Sequence, residues 1–167
     1  MLTTLIISGC SMCYELIISA VSSYLLGNST LQYSITIGLY MAALGFGSYI
    51  SKYFKKNLFH VFVTIELSIG VVGGVSSLLL FLSNIYISNY AAVMYAEILL
   101  IGTLAGAEIP IMTRIIEADE NNLSVTLSSI FSFDYIGGLL GSIAFPLLLL
   151  PQLGYFATSF LCGLLNI

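Results

Sequence analysis

Charge is the scarcest property of this chain. Only four Lys plus Arg and eight Asp plus Glu occur among 167 residues, 7% in all, while 59% are hydrophobic and the mean hydropathy is +1.06. A water-soluble domain carries about 25% charged and about 45–50% apolar residues, so a soluble globular protein is excluded. The small basic content and the net charge of −4 exclude a nucleic-acid binder, which needs a basic face. Disordered tails and extended coiled coils do not tolerate this apolar content either. Cysteine is equally sparse. Three residues scattered through apolar sequence make no disulfide framework, and the Cys10/Cys13 pair reads as small packing residues on one helical face. No basic segment precedes the stretch from Leu2 to Leu26, which exceeds the roughly 7–15 apolar residues of a signal peptide. It reads as a first spanning helix.

What is present is a series of apolar runs near the ~20 residues needed to cross the hydrocarbon core. They cover 2–26, 32–50, 58–82, 90–113, 124–150 and, cut off by the chain end, 155–167. The expected fold is an all-α transmembrane domain over residues 1–167, a compact six-helix bundle with an incomplete sixth helix. The breaks between runs are short: Gly27–Leu31, Ser51–Asn57, Ser83–Asn89, an acidic loop Arg114–Leu123 with Glu117, Asp119 and Glu120, and a tight turn Pro151–Gly154. Lys52, Lys55 and Lys56 fall in the second break and Arg114 in the fourth, on one side of a six-crossing path. The positive-inside tendency makes that side, and the N-terminus, cytoplasmic. Tyr24, Tyr33, Tyr86, Tyr90 and Tyr155 then fall at the outer boundary and Tyr49 and Tyr53 at the inner one. The expected location is the bacterial inner (plasma) membrane.

Small residues recur at the spacing that lets helix backbones meet. Gly70/Gly74, Gly102/Gly106 and Gly137/Gly141 are GxxxG pairs in three helices, and Gly38, Ala42, Gly45 and Gly47 give the second helix a small face.

Five acids lie inside apolar runs that contain no base: Glu15, Glu66, Glu97, Glu108 and Asp134. Each charge at bilayer depth costs at least about 2.5–3.5 kcal/mol, so they must be protonated, hydrated or met by a cation. At 1.5 Å per residue Glu97 lies about 10 Å from the outer surface, Glu15 and Asp134 near the middle, and Glu66 and Glu108 toward the inner third. Glu97 and Glu108, eleven residues apart, share a face. Glu66 aligns with Gly70, Gly73 and Ser77, and Asp134 with Gly137, Gly138 and Gly141. Glu15 continues a stripe of Ser8, Ser11, Ser19 and Ser22 that reads as a wet cavity wall. Tyr14, Tyr95 and Tyr135 sit beside three of these acids, as a cation-π site for an organic ammonium ion would require, although each also reads as a space-filling donor. Arg114 can pair with Glu108 or with the acidic loop, which would make Glu108 structural. Pro110 frees a carbonyl and bends the fourth helix.

The strings GCSMCYELIISAVSSYLLGNS, TIGLYMAALGFGSYIS, EIPIMTRI and FDYIGGLLGSIAFPLLLLP together resemble the N-terminal membrane domain of membrane-bound spermidine synthase-like proteins. In that family the bundle is fused to a cytosolic aminopropyltransferase domain and is similar to half of a major facilitator transporter. The facilitator signature in the second loop (Gly, three residues, Asp, Arg, then a basic pair) is matched by Gly47, Lys52, Lys55 and Lys56, with Ser51 where the Asp stands. The resemblance implies two sets of three helices in an inverted-repeat arrangement, and a homodimer as the transporter-sized assembly. It also implies that the chain is no enzyme by itself, because no glycine-rich nucleotide loop and no α/β region follow. The GLLNI terminus points to a truncated product, against a split gene product or a free-standing half.

Three functions compete. The leading one is binding or transport of a polyamine or other organic cation through Glu15, Asp134, Glu66, Glu97 and Glu108, aided by Tyr14, Tyr135 and Tyr95. The second is a structural anchor for a cytosolic aminopropyltransferase. The third is a proton-coupled or divalent-cation transporter using the same carboxylates. The lipid bilayer is the expected partner in all three, with no cofactor, no resident metal and no nucleic acid.

Overall fold

The structure is a computed structural model that describes residues 1–120 and 123–167, and side chains of 1–117 and 123–167. Every element among the described residues is helical: α1 (Leu2–Leu26), α2 (Ser29–Ser51), α3 (Leu58–Tyr86), α4 (Tyr90–Glu120), α5 (Leu123–Ala144), a π-helical turn (Phe145–Leu149) and α6 (Leu150–Asn166). Five stretches are long and apolar enough to cross a membrane, the last running from Leu123 to Asn166.

The helices outrun several apolar runs because polar residues at a span's end remain helical. α3 extends to Tyr86 instead of ending at Leu82, and α4 continues through Pro110 to Glu120. Glu117 is therefore on a helix and not in a loop. The side chains of Asp119 and Glu120 lie outside the described residues. Asn28, in the left-handed region at φ 49°, caps α2 by accepting from the Leu31 N–H. The expected turn at Pro151–Gly154 is also narrower than its range. Helix continues through Pro151 to Leu153, and the reversal falls on Gly154 alone, at φ 72°.

Beyond Gly154 the chain runs antiparallel along α3. Phe81 meets Tyr155 and Phe156, Ser77 Oγ bonds Ser159 Oγ at 2.6 Å, and Asn166 bonds Glu66. The other two close pairs are parallel, α1 with α5 and α2 with α4. Each pair is joined through one of the GxxxG sequences. Gly163 meets the backbone of Gly70 and Gly74, Gly137 and Gly141 lie on the backbone of Leu5 and Gly9, and Gly106 lies on that of Leu44. Gly47 approaches Thr103 so closely that a methyl group would collide with its carbonyl. The rest of the expected small face on α2 is not packed, since Gly38 and Gly45 have open space where a Cβ would stand.

Between these pairs lies an apolar core of Ile17, Ile18, Val21, Ile69, Met94, Ile98 and Ile101, while Leu, Ile, Val and Phe cover much of the exterior. Tyr24, Tyr86, Tyr49 and Tyr53 are exposed, but Tyr90 is buried and bonds Ser22 Oγ at 3.0 Å, so it is a core residue and not part of an outer belt. The three cysteines are free and buried.

Candidate functional site: an acid-lined groove

A groove of about 610 Å³ is floored by α1 and α4 and walled by α2 and α5. Three acids reach it from three helices: Glu15 from α1, Glu108 from α4 and Asp134 from α5. Glu15 and Glu108 are buried, and Glu108 Oε1 has no hydrogen-bond partner among the described residues.

The polar wall follows helical periodicity. Ser8, Ser11 and Glu15 recur three and four residues apart, so one face of α1 carries them all into the groove. Ser8 Oγ donates to the Asp134 backbone carbonyl at 2.6 Å, fixing α5 on α1. That bond also corrects the depth of Asp134. It lies level with Ser8, seven residues and thus about 10 Å along the axis from Glu15, rather than beside it. The remaining serines of the stripe turn inward: Ser19 Oγ donates to the Glu15 backbone carbonyl at 2.9 Å and Ser22 pairs with Tyr90.

Glu66 and Glu97 do not line this groove. Glu66 lines a separate cavity beside Asn166. Glu97 is buried in α4 with both carboxyl oxygens lacking a partner among the described residues. Among the described residues, no three His, Cys, Asp or Glu side chains gather closely enough to hold a metal ion. The groove acids are spread along a wall instead of converging on a point.

Of the three expected tyrosines, only Tyr135 borders the groove, at its exposed rim, where its ring stacks on Phe131. Tyr14 is fully buried, its ring laid against Gly73 of α3. Tyr95 faces outward. The aromatic that does enter is Tyr40 of α2, whose hydroxyl shares a hydrogen bond of 2.5 Å with Ser11 Oγ. Its signal was the stripe Gln32, Thr36, Tyr40, Ala43, Gly47 and Ser51, which is the buried face of α2.

Toward the basic end the groove runs into a further hollow of about 620 Å³, sharing Leu44, Ala105 and Ile109 and reaching Arg114 and Glu117. Arg114 bonds neither Glu108 nor any other described carboxylate. Its guanidinium donates to the carbonyls of Ser51 and Phe54 at 2.8 Å each and to Pro110 at 2.9 Å, closing the C-terminal end of α2. Nearby, the Lys52 ammonium sits 3.3 Å from the centre of the Tyr49 ring.

No family model matches the chain, and no solved structure matches it. Over 166 residues it is 43% identical to a polyamine aminopropyltransferase of Leptospira interrogans serogroup Icterohaemorrhagiae serovar copenhageni, covering 99% of this chain and 33% of that protein. It is 42% identical over 167 residues to polyamine aminopropyltransferase 2 of Ralstonia nicotianae, with coverages of 99% and 33%. For the polyamine aminopropyltransferase of Oceanobacillus iheyensis the identity is 37% over 169 residues, with coverages of 97% and 32%. The chain spans about a third of the length of the curated relatives it matches, and nearly all of it is similar to that third.

Proposed function

We propose that this chain is the membrane domain of a polyamine aminopropyltransferase-like protein, and that its groove binds or conducts a polyamine or another organic cation. The observation that carries the reading is the arrival of Glu15, Glu108 and Asp134 from three helices in one groove. An extended cation with several ammonium groups answers acids distributed along a wall, and Ser8, Ser11 and Tyr40 add neutral hydrogen-bonding groups beside them. The relatives' names supply the polyamine.

The proposed setting is a bacterial inner membrane crossed six times, with reversal at Gly154 making the sixth pass and the N-terminus on the cytoplasmic side with Lys52, Lys55, Lys56 and Arg114. The close pairs α1/α5 and α2/α4 exchange, and α3/α6 maps onto itself, when the first three helices are swapped with the last three. That pattern supports two inverted three-helix repeats. The hollow reaching Arg114 and Glu117 supports access from the cytoplasmic side. The groove opens laterally between α2 and α5, and a second copy facing it would close a chamber; native mass spectrometry of the lipid-embedded chain reads that dimer directly. This chain alone is proposed to have no aminopropyltransferase activity.

The test is spermidine binding to the chain in lipid nanodiscs, comparing the native protein with Glu15→Gln and Asp134→Asn. Each variant is expected to weaken binding by about tenfold or more, the loss of one charge-assisted contact. Unchanged binding in both variants would overturn the groove as a cation site. That outcome would leave the second reading, an anchor for a cytosolic aminopropyltransferase region, which the threefold greater length of the relatives supports.

A further inference from the structure

At the end of the molecule that carries the bases, a cavity of about 430 Å³ lies where the connection after α2 turns into α3. The connection lends it Phe54 and Lys56, and α3 lends it residues at three- and four-residue spacing from Asn57 to Ile65, a single helix face. That wall is divided along the helix axis. Lys56, Asn57 and His60 stand exposed at the helix start, while Val61 and the buried Ile65 follow below, Ile65 about 12 Å from Asn57 at 1.5 Å per residue. Thr64 is polar too, but its Oγ already donates to the His60 backbone carbonyl at 2.8 Å. No acid lines the cavity; Glu117 lines the hollow beside Arg114 instead. Asn57 makes no side-chain cap, so the first N–H groups of α3 add to the positive potential at the same end.

We propose that this cavity binds an anionic phospholipid, its phosphate on Lys56 and His60 and an acyl chain along Phe54, Val61 and Ile65. The Lys56 ammonium brings three N–H donors and the His60 ring at least one, and phosphate oxygens accept them in charge-assisted bonds. A cation would meet Lys56 with no acid in the wall to offset it. A small soluble anion would use the helix start and leave the apolar wall uncovered, whereas a lipid covers both. Lipid is also the partner that the setting provides. Five stretches long and apolar enough to cross a membrane place the start of α3 at its surface, where Lys52 and Lys55 of the same connection attract anionic headgroups. The inference rests on the membrane setting and not on the groove. It shares no lining residue with the groove around Glu15 or with the hollow, so failure of either site leaves the other standing.

The experiment uses the full chain, stripped of copurified lipid in a neutral detergent. It is titrated with phosphatidylglycerol or phosphatidylcholine of the same acyl chains, with bound lipid counted by native mass spectrometry. Circular dichroism checks that each variant keeps its helices. One phosphatidylglycerol is expected to bind saturably, at least about tenfold more tightly than phosphatidylcholine. Lys56→Gln is expected to weaken it by about fivefold or more, and His60→Ala by severalfold. Lys52→Gln removes the same charge from the same connection. Because the Lys52 ammonium is held over the Tyr49 and Tyr53 rings, its loss is expected to cost less than about twofold. Glycerophosphoglycerol, the headgroup without acyl chains, is expected not to displace the lipid at an excess of about tenfold. Equal affinity for the two lipids overturns the proposal. Equal losses in Lys52→Gln and Lys56→Gln also overturn it, by reducing the effect to diffuse charge, and so does displacement by glycerophosphoglycerol, which would make the cavity a site for free anions.

Discussion

Arg114 is the one base that folds back among the helices, and it spends its charge on carbonyls. Its bonds to Ser51, Phe54 and Pro110 are charge-assisted, and removing them strips the charged donor from the Phe54 carbonyl and leaves the Ser51 carbonyl to the Phe54 N–H. Arg114→Met is expected to lower stability by about 1.5–3 kcal/mol, and Arg114→Lys to recover only part, since an ammonium cannot span the same fork. Detergent unfolding followed by circular dichroism reads the difference. The same scale shows what the sequence conceals. Glu15 was legible because serines four and seven residues before it mark one helix face. Tyr14 and Tyr95 do not share the faces of Glu15 and Glu97, because neighbours one and two residues apart on a helix point in different directions. Tyr14 therefore turns to Gly73 while Glu15 turns to the groove. Tyr40 reaches the groove from another helix, and no local spacing in α1 reports it.

Among elements, the GxxxG pairs were legible as packing faces, but the identity of each partner was not, because sequence spacing specifies a face and not what meets it. Gly38, Ala42 and Gly45 have the same small-residue character as Gly47, yet of the glycines only Gly47 meets another helix. The contrast can be measured on one helix. Gly47→Leu, like Gly141→Leu between α5 and α1, is expected to destabilise by about 1–3 kcal/mol or more through overpacking against backbone. Gly38→Leu and Gly45→Leu are expected to stay within about 0.5 kcal/mol of the native protein. Thermal unfolding in one lipid mixture would rank the four, and equal losses at Gly47 and Gly45 would refute the assignment of faces.

For the whole molecule, orientation rests on few charges. Lys52, Lys55, Lys56 and Arg114 gather at one end, so exchanging the sides means carrying all four across. In a background with Cys10, Cys13 and Cys162 replaced by Ser, a membrane-impermeant maleimide is expected to label Ser88→Cys in intact cells and to leave Asn57→Cys unlabelled; the reverse pattern would invert the proposed topology. The all-helical character was legible from length and hydropathy, whereas the grouping of acids was not. Five carboxylates expected to form one ladder are divided among a groove, a side cavity and a solitary buried position, because depth along a helix says nothing about which neighbour it faces. The widened turn at Phe145–Leu149, where the Leu150 N–H reaches back to the Phe145 carbonyl, amounts to an α-helix holding one surplus residue. Deleting a single leucine from 147–149 should convert that turn to ordinary helix and leave Gly154 free to reverse the chain, whereas deleting one residue near Gly137 or Gly141 would rotate the glycine face away from α1. A full-length fold that survives the first deletion and not the second, by proteolysis of the lipid-embedded chain, would mark this turn as the place where the chain tolerates a change of length.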